Sequence, residues 1–444
     1  MGNKLTRSHA VRDGSGSIGR RTRRTAAGAL GAAVLAMVAA ACGTPSPFPP
    51  TPNPYTAPSQ GNGPNGSFYA IPPVPSGTLN GQLLYYVPAT SGQINNANLW
   101  TVAYASTDAV GAPDVVTGTV VVPTAAWSGS GPRPIVSYAV GTQGLGSDCA
   151  PSKMLVSGLE YEDPNINAAV AAGYAVAVTD YQWGGTTNTP PLQYMVGLSA
   201  GHAVLDMARV APQIPNSGLS LGAPVIVWGY SQGGNAAGMA GQLWKTYQPS
   251  VNLIGVAAGG VPGDLPAVGI SLDGGAFAGF ELATVVGFHA AYPDLPFTSL
   301  MNATGSAAVT QATQHGECVG NDVTDYAGKS LTNYTVGGTT ITQALALGNW
   351  TPDLLANSPG NPGSSIAVPV YNFRGLIDEI IPTTVEDGVY ANWCKDGTVV
   401  QAATYPGDHA LTIFEGQSDV LTFISNRLAG KTPVNSCTTN PSSL

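Results

Sequence analysis

The sequence predicts an α/β fold in which a mainly parallel β-sheet carries helices on both faces. Short apolar runs alternate with helical segments along most of the chain, as in strands joined by crossover helices. The run Val225–Trp228 passes through Gly-Tyr-Ser-Gln-Gly directly into a helical stretch of small residues. Strands of a parallel sheet are buried on both faces and are therefore continuously apolar, as this run is.

The individual elements follow that alternation along the chain. Strands, the first two of them antiparallel, are expected at 100–105, 115–122, 134–140, 174–179, 225–228, 253–258, 366–373 and 399–405. Helices are expected at 166–172, 194–210, 234–245, 385–393 and 418–428. Residues 260–363 interrupt this order, being rich in Gly, Ala, Thr and Asn with weak helical patterns. We expect this insertion to form a helical cap or lid over the site described below.

The N-terminus has the features of an export signal at residues 1–42. A basic cluster at 20–24 precedes the apolar run 26–41. The following Cys42 completes a sequence that resembles a bacterial lipobox, so we expect a lipidated cysteine. Ordinary cleavage nearby, with Cys42 incidental, is the alternative. The chain is thus expected to be secreted or attached to the cell envelope.

Composition divides the remainder of the chain. Eleven of the 36 prolines lie between residues 43 and 75, which predicts a linker over 43–78. A folded domain over 79–437 and a short tail over 438–444 follow. From Cys42 onward the chain has nine basic and 24 acidic residues. This acidity argues against nucleic acid or anionic lipid as the main partner.

Cysteine usage fits an exported protein. Besides Cys42 there are four cysteines, and an even number predicts two disulfides without fixing which of three pairings forms: Cys149, Cys318, Cys394 and Cys437. No Cys-x-x-Cys spacing or adjacent histidine is present, so we expect no zinc site.

The sequence Gly229-Tyr230-Ser231-Gln232-Gly233 has the form of a nucleophile elbow, a sharp turn between a strand and a helix. The pattern Gly-x-Ser-x-Gly occurs three times, around Ser199, Ser220 and Ser231. Only Ser231 has a strand directly before it and a helix directly after it. Ser231 is therefore the candidate nucleophile.

A serine nucleophile needs a histidine base and a carboxylate that orients the base. In α/β-hydrolases the order is serine, acid, histidine. His409 follows a predicted strand, is placed in a loop ahead of the last helix and is the candidate base. Asp378, on the turn after the preceding strand, is the candidate acid, and the adjacent Glu379 is expected to point elsewhere.

Two backbone N–H groups should bind the oxyanion that forms during acyl transfer. One is expected from Gln232, the residue after the nucleophile. The other is expected from the glycine-rich loop after the strand at 134–140, from Thr142 or Gln143, with Gln143 preferred.

These motifs together resemble the secretory lipase family, of the Candida antarctica lipase A type within the α/β-hydrolases. They include Asp148-Cys149-Ala150-Pro151, Gly229-Tyr230-Ser231-Gln232-Gly233, Gly375-x-x-Asp378 and Gly407-Asp408-His409. The resemblance runs from about residue 80 to residue 437. It implies an α/β-hydrolase core with a helical cap, a Ser231–Asp378–His409 triad and lipid-ester substrates. It also implies the disulfides Cys149–Cys318 and Cys394–Cys437.

The sequence as a whole predicts an exported serine ester hydrolase that needs no metal or cofactor. Two alternatives remain open at this point. One is an envelope acyltransferase that uses the same triad, and the other is a non-catalytic envelope binding protein with a decayed site. The complete Ser–Asp–His order favours an enzyme over the binding protein.

Overall fold

The computed structural model describes residues 58–63, 66–183 and 190–439. The export signal, Cys42 and the linker up to residue 57 lie outside these ranges, as do residues 440–444. Within the described ranges, no helix is both long and apolar enough to cross a bilayer.

One ten-stranded sheet runs through the described part of the chain. Its strands are β1 (Ser59–Gln60), β2 (Leu83–Ala89), β3 (Ala97–Thr107), β4 (Pro113–Pro123), β5 (Ile135–Ala139), β6 (Ala175–Thr179), β7 (Val225–Tyr230), β8 (Leu253–Gly259), β9 (Val370–Gly375) and β10 (Val400–Tyr405). Their spatial order is β1-β2-β3-β4-β6-β5-β7-β8-β9-β10. Strands β5 to β10 pair in parallel, whereas β2, β3 and β4 pair antiparallel.

Fourteen α-helices occur among the described residues. Those of the core are α1 (Pro151–Ser157), α2 (Asp163–Ala171), α3 (Gly197–Val210), α4 (Gln232–Tyr247), α12 (Thr383–Lys395), α13 (His409–Glu415) and α14 (Gln417–Leu428). Those between β8 and β9 are α5 (Leu265–Leu272), α6 (Ala278–Ala291), α7 (Phe297–Leu300), α8 (Ala303–Ala312), α9 (Val319–Tyr326), α10 (Ile341–Leu345) and α11 (Trp350–Ala356).

Two neighbouring residues of β8 show that helices cover both faces of the sheet. A side-chain carbon built on Gly255 would lie 3.0 Å from the Phe423 ring on α14. The next residue of β8 is Val256. A side-chain carbon built on Gly241 of α4 would lie 3.1 Å from the Val256 side chain. Successive strand residues point to opposite faces, so α14 and α4 lie on opposite sides. The predicted α/β architecture is confirmed.

The break in the sequence pattern at 260–363 falls between β8 and β9. These strands are direct parallel neighbours, with Val256 opposite Val370. The chain therefore leaves the sheet after β8, forms the seven helices α5 to α11, and returns to the sheet at β9. We call residues 260–369 the inserted segment.

Several element boundaries differ from the sequence predictions. The helix expected at 194–210 begins at Gly197, after Met195 in the left-handed backbone region. The strand expected at 366–373 begins only at Val370, one residue after Pro369, which has no backbone N–H for a ladder bond. The structure also contains strand β2 and helix α1, which the sequence did not predict.

Packed structure also begins before residue 79. Phe68, within the predicted linker, is buried and packs edge-on against Tyr85 of β2 with ring centroids 5.1 Å apart. The last part of the predicted linker is therefore part of the folded domain.

Candidate active site

Ser231 occupies a strained turn between β7 and α4. Its backbone has φ 59° and ψ −120°, a conformation that non-glycine residues rarely adopt. A side-chain carbon on Gly233 would lie 1.9 Å from the carbonyl oxygen of Ala139. A side-chain carbon on Gly229 would lie 2.2 Å from the carbonyl oxygen of Gly233. Only glycine fits at these two positions, and their glycines let strand, turn and helix approach closely.

The other two Gly-x-Ser-x-Gly serines have different surroundings. Ser199 is fully buried inside α3 and donates a hydrogen bond to Gln193 Oε1 at 2.5 Å. Ser220 lies in an exposed loop with no strand before it. Ser231 alone has the strand-turn-helix context that the sequence indicates.

Asp378 and His409 are brought together by the loops after β9 and β10. The Asp378 Oδ2 atom lies 2.6 Å from His409 Nδ1, and the Asp378 side chain is completely buried. The other carboxylate oxygen of Asp378 accepts hydrogen bonds from the backbone N–H groups of Ile380 and Ile381 at 3.0 and 2.8 Å. The carboxylate therefore has a fixed orientation towards the imidazole.

This contact sets the chemistry of the second imidazole nitrogen. With Nδ1–H donating to Asp378, Nε2 carries the lone pair that can accept a proton. His409 Nε2 is buried and has no hydrogen-bond partner among the described residues. The His409 ring packs against Tyr230, the neighbour of Ser231, with ring centroids 5.0 Å apart. A base is thus available beside the Ser231 turn.

Two local predictions around His409 are corrected. His409 is the first residue of α13 and not part of a loop, since Asp408 caps this helix by accepting from the Leu411 N–H at 2.8 Å. Glu379 does not point elsewhere, because its Oε2 accepts from the backbone N–H of His409 at 3.0 Å. Asp378 thus contacts the ring of His409, and Glu379 contacts the backbone of His409.

The loop after β5 runs alongside the Ser231 turn, because Ala139 is paired with Gly229 across the sheet. We call Gly141, Thr142 and Gln143 the oxyanion loop, after the role that the sequence predicts for it. Thr142 and Gln143 are buried, and their backbone N–H groups have no hydrogen-bond partner within the described ranges. Gln232 is the first residue of α4, where backbone N–H groups have no acceptor within the helix. Free donors therefore occur on both sides of Ser231.

An apolar pocket opens onto Ser231 and Gln232. About 820 Å³ of space, part of it open to solvent, lies between its walls. Most of its wall comes from the inserted segment, including Leu265, Val268, Leu272, Ile341, Leu345 and Trp350. An apolar wall beside a serine hydroxyl suits an apolar group of a substrate.

The two disulfides have the pairing that the resemblance implies, Cys149–Cys318 and Cys394–Cys437. The first joins the core to the inserted segment directly beside the oxyanion loop. There the backbone N–H of Val319 donates to the Gln143 carbonyl at 2.8 Å. The inserted segment is therefore bonded to the oxyanion loop, and the disulfide closes this junction.

Comparison with known proteins agrees with this geometry. The family model described as secretory lipase matches residues 150–436. Lipase 4 of Candida albicans is 29% identical over 361 residues, covering 77% of this chain and 74% of that protein. The secreted triacylglycerol lipase LIP5 of Malassezia furfur is 27% identical over 334 residues, covering 72% of this chain and 84% of that protein.

Solved structures show the same fold. Candida antarctica lipase A in its closed state superposes with a TM-score of 0.75 at 25% identity, covering 88% of this chain and 89% of that chain. The rice cell wall degrading esterase LipA from Xanthomonas oryzae shares the fold with a TM-score of 0.65 at 16% identity. The match covers 81% of this chain and 100% of that chain.

Fold, site and relatives together define a carboxylic ester hydrolase with the α/β-hydrolase fold. Within this class, the chain belongs to the secretory lipase family.

Replacing the Cys149–Cys318 disulfide with two serines is expected to lower kcat several-fold, because the oxyanion loop loses its covalent neighbour. The matched control replaces Cys394 and Cys437. Both changes should lower the free energy of unfolding by roughly 4–5 kcal/mol in the chain-entropy model, and both are compared by calorimetry. Activity is measured well below both melting temperatures. Equal losses of kcat in the two variants would contradict the expectation.

Glu281 of α6 is a buried acid that lines the apolar pocket. Burial, and secondarily the charge of Asp273, raises its pKa to about 8. An acid whose pKa is higher in the folded state than in the unfolded state stabilises the fold at low pH relative to high pH. This contribution decreases above the unfolded value near 4.5 and is lost as pH passes 8.

Glu281→Gln should therefore melt higher than wild type by ~2 °C or more at pH 9, with a smaller or reversed difference at pH 5. Differential scanning calorimetry at both pH values measures this trend. Asp294→Asn, at an exposed position of the same segment, is the control. A difference for Glu281→Gln that does not change with pH would refute the argument.

Proposed function

We propose that the chain hydrolyses acyl esters through an acyl-enzyme on Ser231. The supporting observation is the 2.6 Å contact between Asp378 and His409, which leaves His409 Nε2 free beside the Ser231 turn. His409 takes the Ser231 proton as Oγ attacks the ester carbonyl, and it then gives this proton to the departing alkoxide. A water molecule, activated by the same imidazole, releases the acid and regenerates the serine.

The negative charge of the tetrahedral intermediate needs donors on the far side from His409. We assign this role to the backbone N–H groups of Gln232 and Gln143, with Thr142 as the alternative to Gln143. Donors of this kind, fixed before the reaction starts, contribute a large part of the rate enhancement in acyl transfer.

Lipid esters such as triacylglycerols are the proposed substrates. The pocket at Ser231 is apolar over most of its wall, and the Malassezia furfur relative carries the name of a triacylglycerol lipase. Since the inserted segment supplies much of that wall, we propose that it acts as a cap over the acyl chain. An acyl chain placed there is removed from water, which favours binding in proportion to the buried apolar area.

The site of action is proposed to lie outside the cell. The secretory family and the two disulfides support secretion. We propose in addition that Cys42 is lipidated and holds the enzyme at the cell envelope. Cys42→Ser should then release the enzyme into the medium. Mass spectrometry of the mature N-terminus gives a second readout, and an unmodified N-terminus in the wild type would refute lipidation.

Ser231→Ala is expected to lower kcat by at least ~10³-fold on p-nitrophenyl esters from acetate to palmitate. Ser220→Ala, which changes an exposed serine within the same local motif, is the control and should keep full activity. Spectrophotometric release of p-nitrophenol measures both variants. If wild type and Ser231→Ala cleave at equal rates, Ser231 is not the nucleophile. If wild type transfers acyl groups to alcohols in preference to water, the acyltransferase alternative replaces hydrolysis.

A further inference from the structure

Three consecutive residues, Glu160-Tyr161-Glu162, each contact one residue of the oxyanion loop. Glu162 Oε1 accepts a hydrogen bond from the Gly141 N–H at 2.5 Å. The Tyr161 hydroxyl donates to the Thr142 carbonyl at 3.1 Å. Glu160 Oε1 accepts from the Gln143 side-chain amide at 3.1 Å. The loop is thus bound residue by residue from the core side.

These contacts use buried acids that have no countercharge. Glu160 and Glu162 have no exposed surface, and no basic side chain among the described residues forms an ion pair with them. Burial raises the pKa of Glu162 to about 7 and that of Glu160 to about 8. A buried acid without a cation is costly to the fold unless hydrogen bonds compensate for it. Most of the donors here belong to the oxyanion loop and to Tyr138, whose hydroxyl donates to Glu162 Oε2 at 2.5 Å.

The Tyr161 contact has a direct consequence for Gln143. The carbonyl of Thr142 and the N–H of Gln143 belong to one planar trans peptide, so they point in opposite directions. A hydroxyl that binds the carbonyl from one side therefore fixes the direction of the N–H on the other side. Burial, the charge of Glu162 and a hydrogen bond with that carboxylate raise the pKa of Tyr161 well above its ordinary value, so this hydroxyl stays protonated and able to donate.

The peptide between Val140 and Gly141, two peptides earlier in the chain, is bound at both ends in the same way. The Tyr181 hydroxyl donates to the Val140 carbonyl at 2.7 Å, while Glu162 accepts from the N–H of Gly141. The N–H groups of Thr142 and Gln143 are left without a partner among the described residues. The surrounding hydrogen bonds thus fix the loop while leaving these two donors free, and of the two only the Gln143 N–H belongs to the peptide whose carbonyl Tyr161 binds.

We propose that Tyr161, with Glu160 and Glu162, positions the oxyanion loop and orients the Gln143 N–H towards the reacting carbonyl. The three residues act through the loop and do not touch substrate. This inference rests on the proposed function, because it presupposes an oxyanion on the ester that Ser231 attacks.

The test is Tyr161→Phe, which removes one hydroxyl. The matched control is Tyr85→Phe, because the Tyr85 hydroxyl also donates to a backbone carbonyl, that of Phe68 at 3.0 Å, far along the sheet from the loop. Tyr161→Phe should lower kcat about tenfold with KM unchanged, a fraction of the loss for a removed oxyanion donor. Tyr85→Phe should keep wild-type kcat.

An alkyl boronic acid provides a readout that a purely structural role would not change, since its adduct with the serine places a hydroxyl in the oxyanion hole. Tyr161→Phe should weaken boronate inhibition by about the factor lost in kcat/KM. Glu160 gives a second comparison. Glu160→Gln retains an acceptor oxygen for Gln143 and should keep most of the activity, whereas Glu160→Leu removes the acceptor and should lose it.

Equal kcat values for Tyr161→Phe and Tyr85→Phe would overturn the proposal, as would a loss confined to KM. These outcomes leave the proposed function intact as long as Ser231→Ala abolishes hydrolysis by the wild-type chain. The proposed function itself would instead be contradicted if wild type and Ser231→Ala cleaved esters at equal rates.

Discussion

The close contact of β5, β7 and β8 with the start of α4 is the constraint on which the site depends. Carbonyl oxygens of Ala139 and Gly259 occupy the space where side chains on Gly233 and Gly234 would lie. This approach places the first turn of α4 against the ends of the strands and raises Ser231 above the sheet in a strained conformation. Strain of this kind persists only where the surrounding packing enforces it. The central parallel strands provide that packing, and the same contact places the oxyanion loop beside the serine.

Parallel pairing explains how residues far apart in sequence meet at Ser231. The oxyanion loop, Ser231, Asp378 and His409 follow β5, β7, β9 and β10, which all run in the same direction. Their carboxyl ends therefore lie at one edge of the sheet. The inserted segment leaves from β8 at this same edge. The sheet thus sets the position of the proposed nucleophile, the proposed base and the pocket wall through a single geometric rule.

Neutral donors take the place of cations around the oxyanion loop. After Cys42 the chain has only nine basic residues, and the buried acids near the loop are bound by tyrosine hydroxyls, side-chain amides and backbone N–H groups. Such an arrangement holds the oxyanion loop without an ion pair to Glu160 or Glu162. It also makes the loop depend on hydrogen-bond geometry, which is directional, and less on charge, which is not.

The sequence by itself determined the architecture and the identity of the nucleophile candidate. Both depend on local signals, namely apolar runs buried on both faces and glycines around a serine between strand and helix. The order of motifs led to Asp378 and His409, and the resemblance led to the cysteine pairing. The even number of cysteines alone left that pairing open.

Only the tertiary structure decided that Glu379 contacts His409, that Phe68 belongs to the packed domain and that Glu160, Tyr161 and Glu162 bind the oxyanion loop. These contacts join segments whose separation and orientation are set by the packing of the sheet. A pattern in sequence reports the period and polarity of its own element, but not which distant element that side chain will meet. Nothing in the polar stretch Glu160-Tyr161-Glu162 distinguishes it from an ordinary surface turn until the fold buries it.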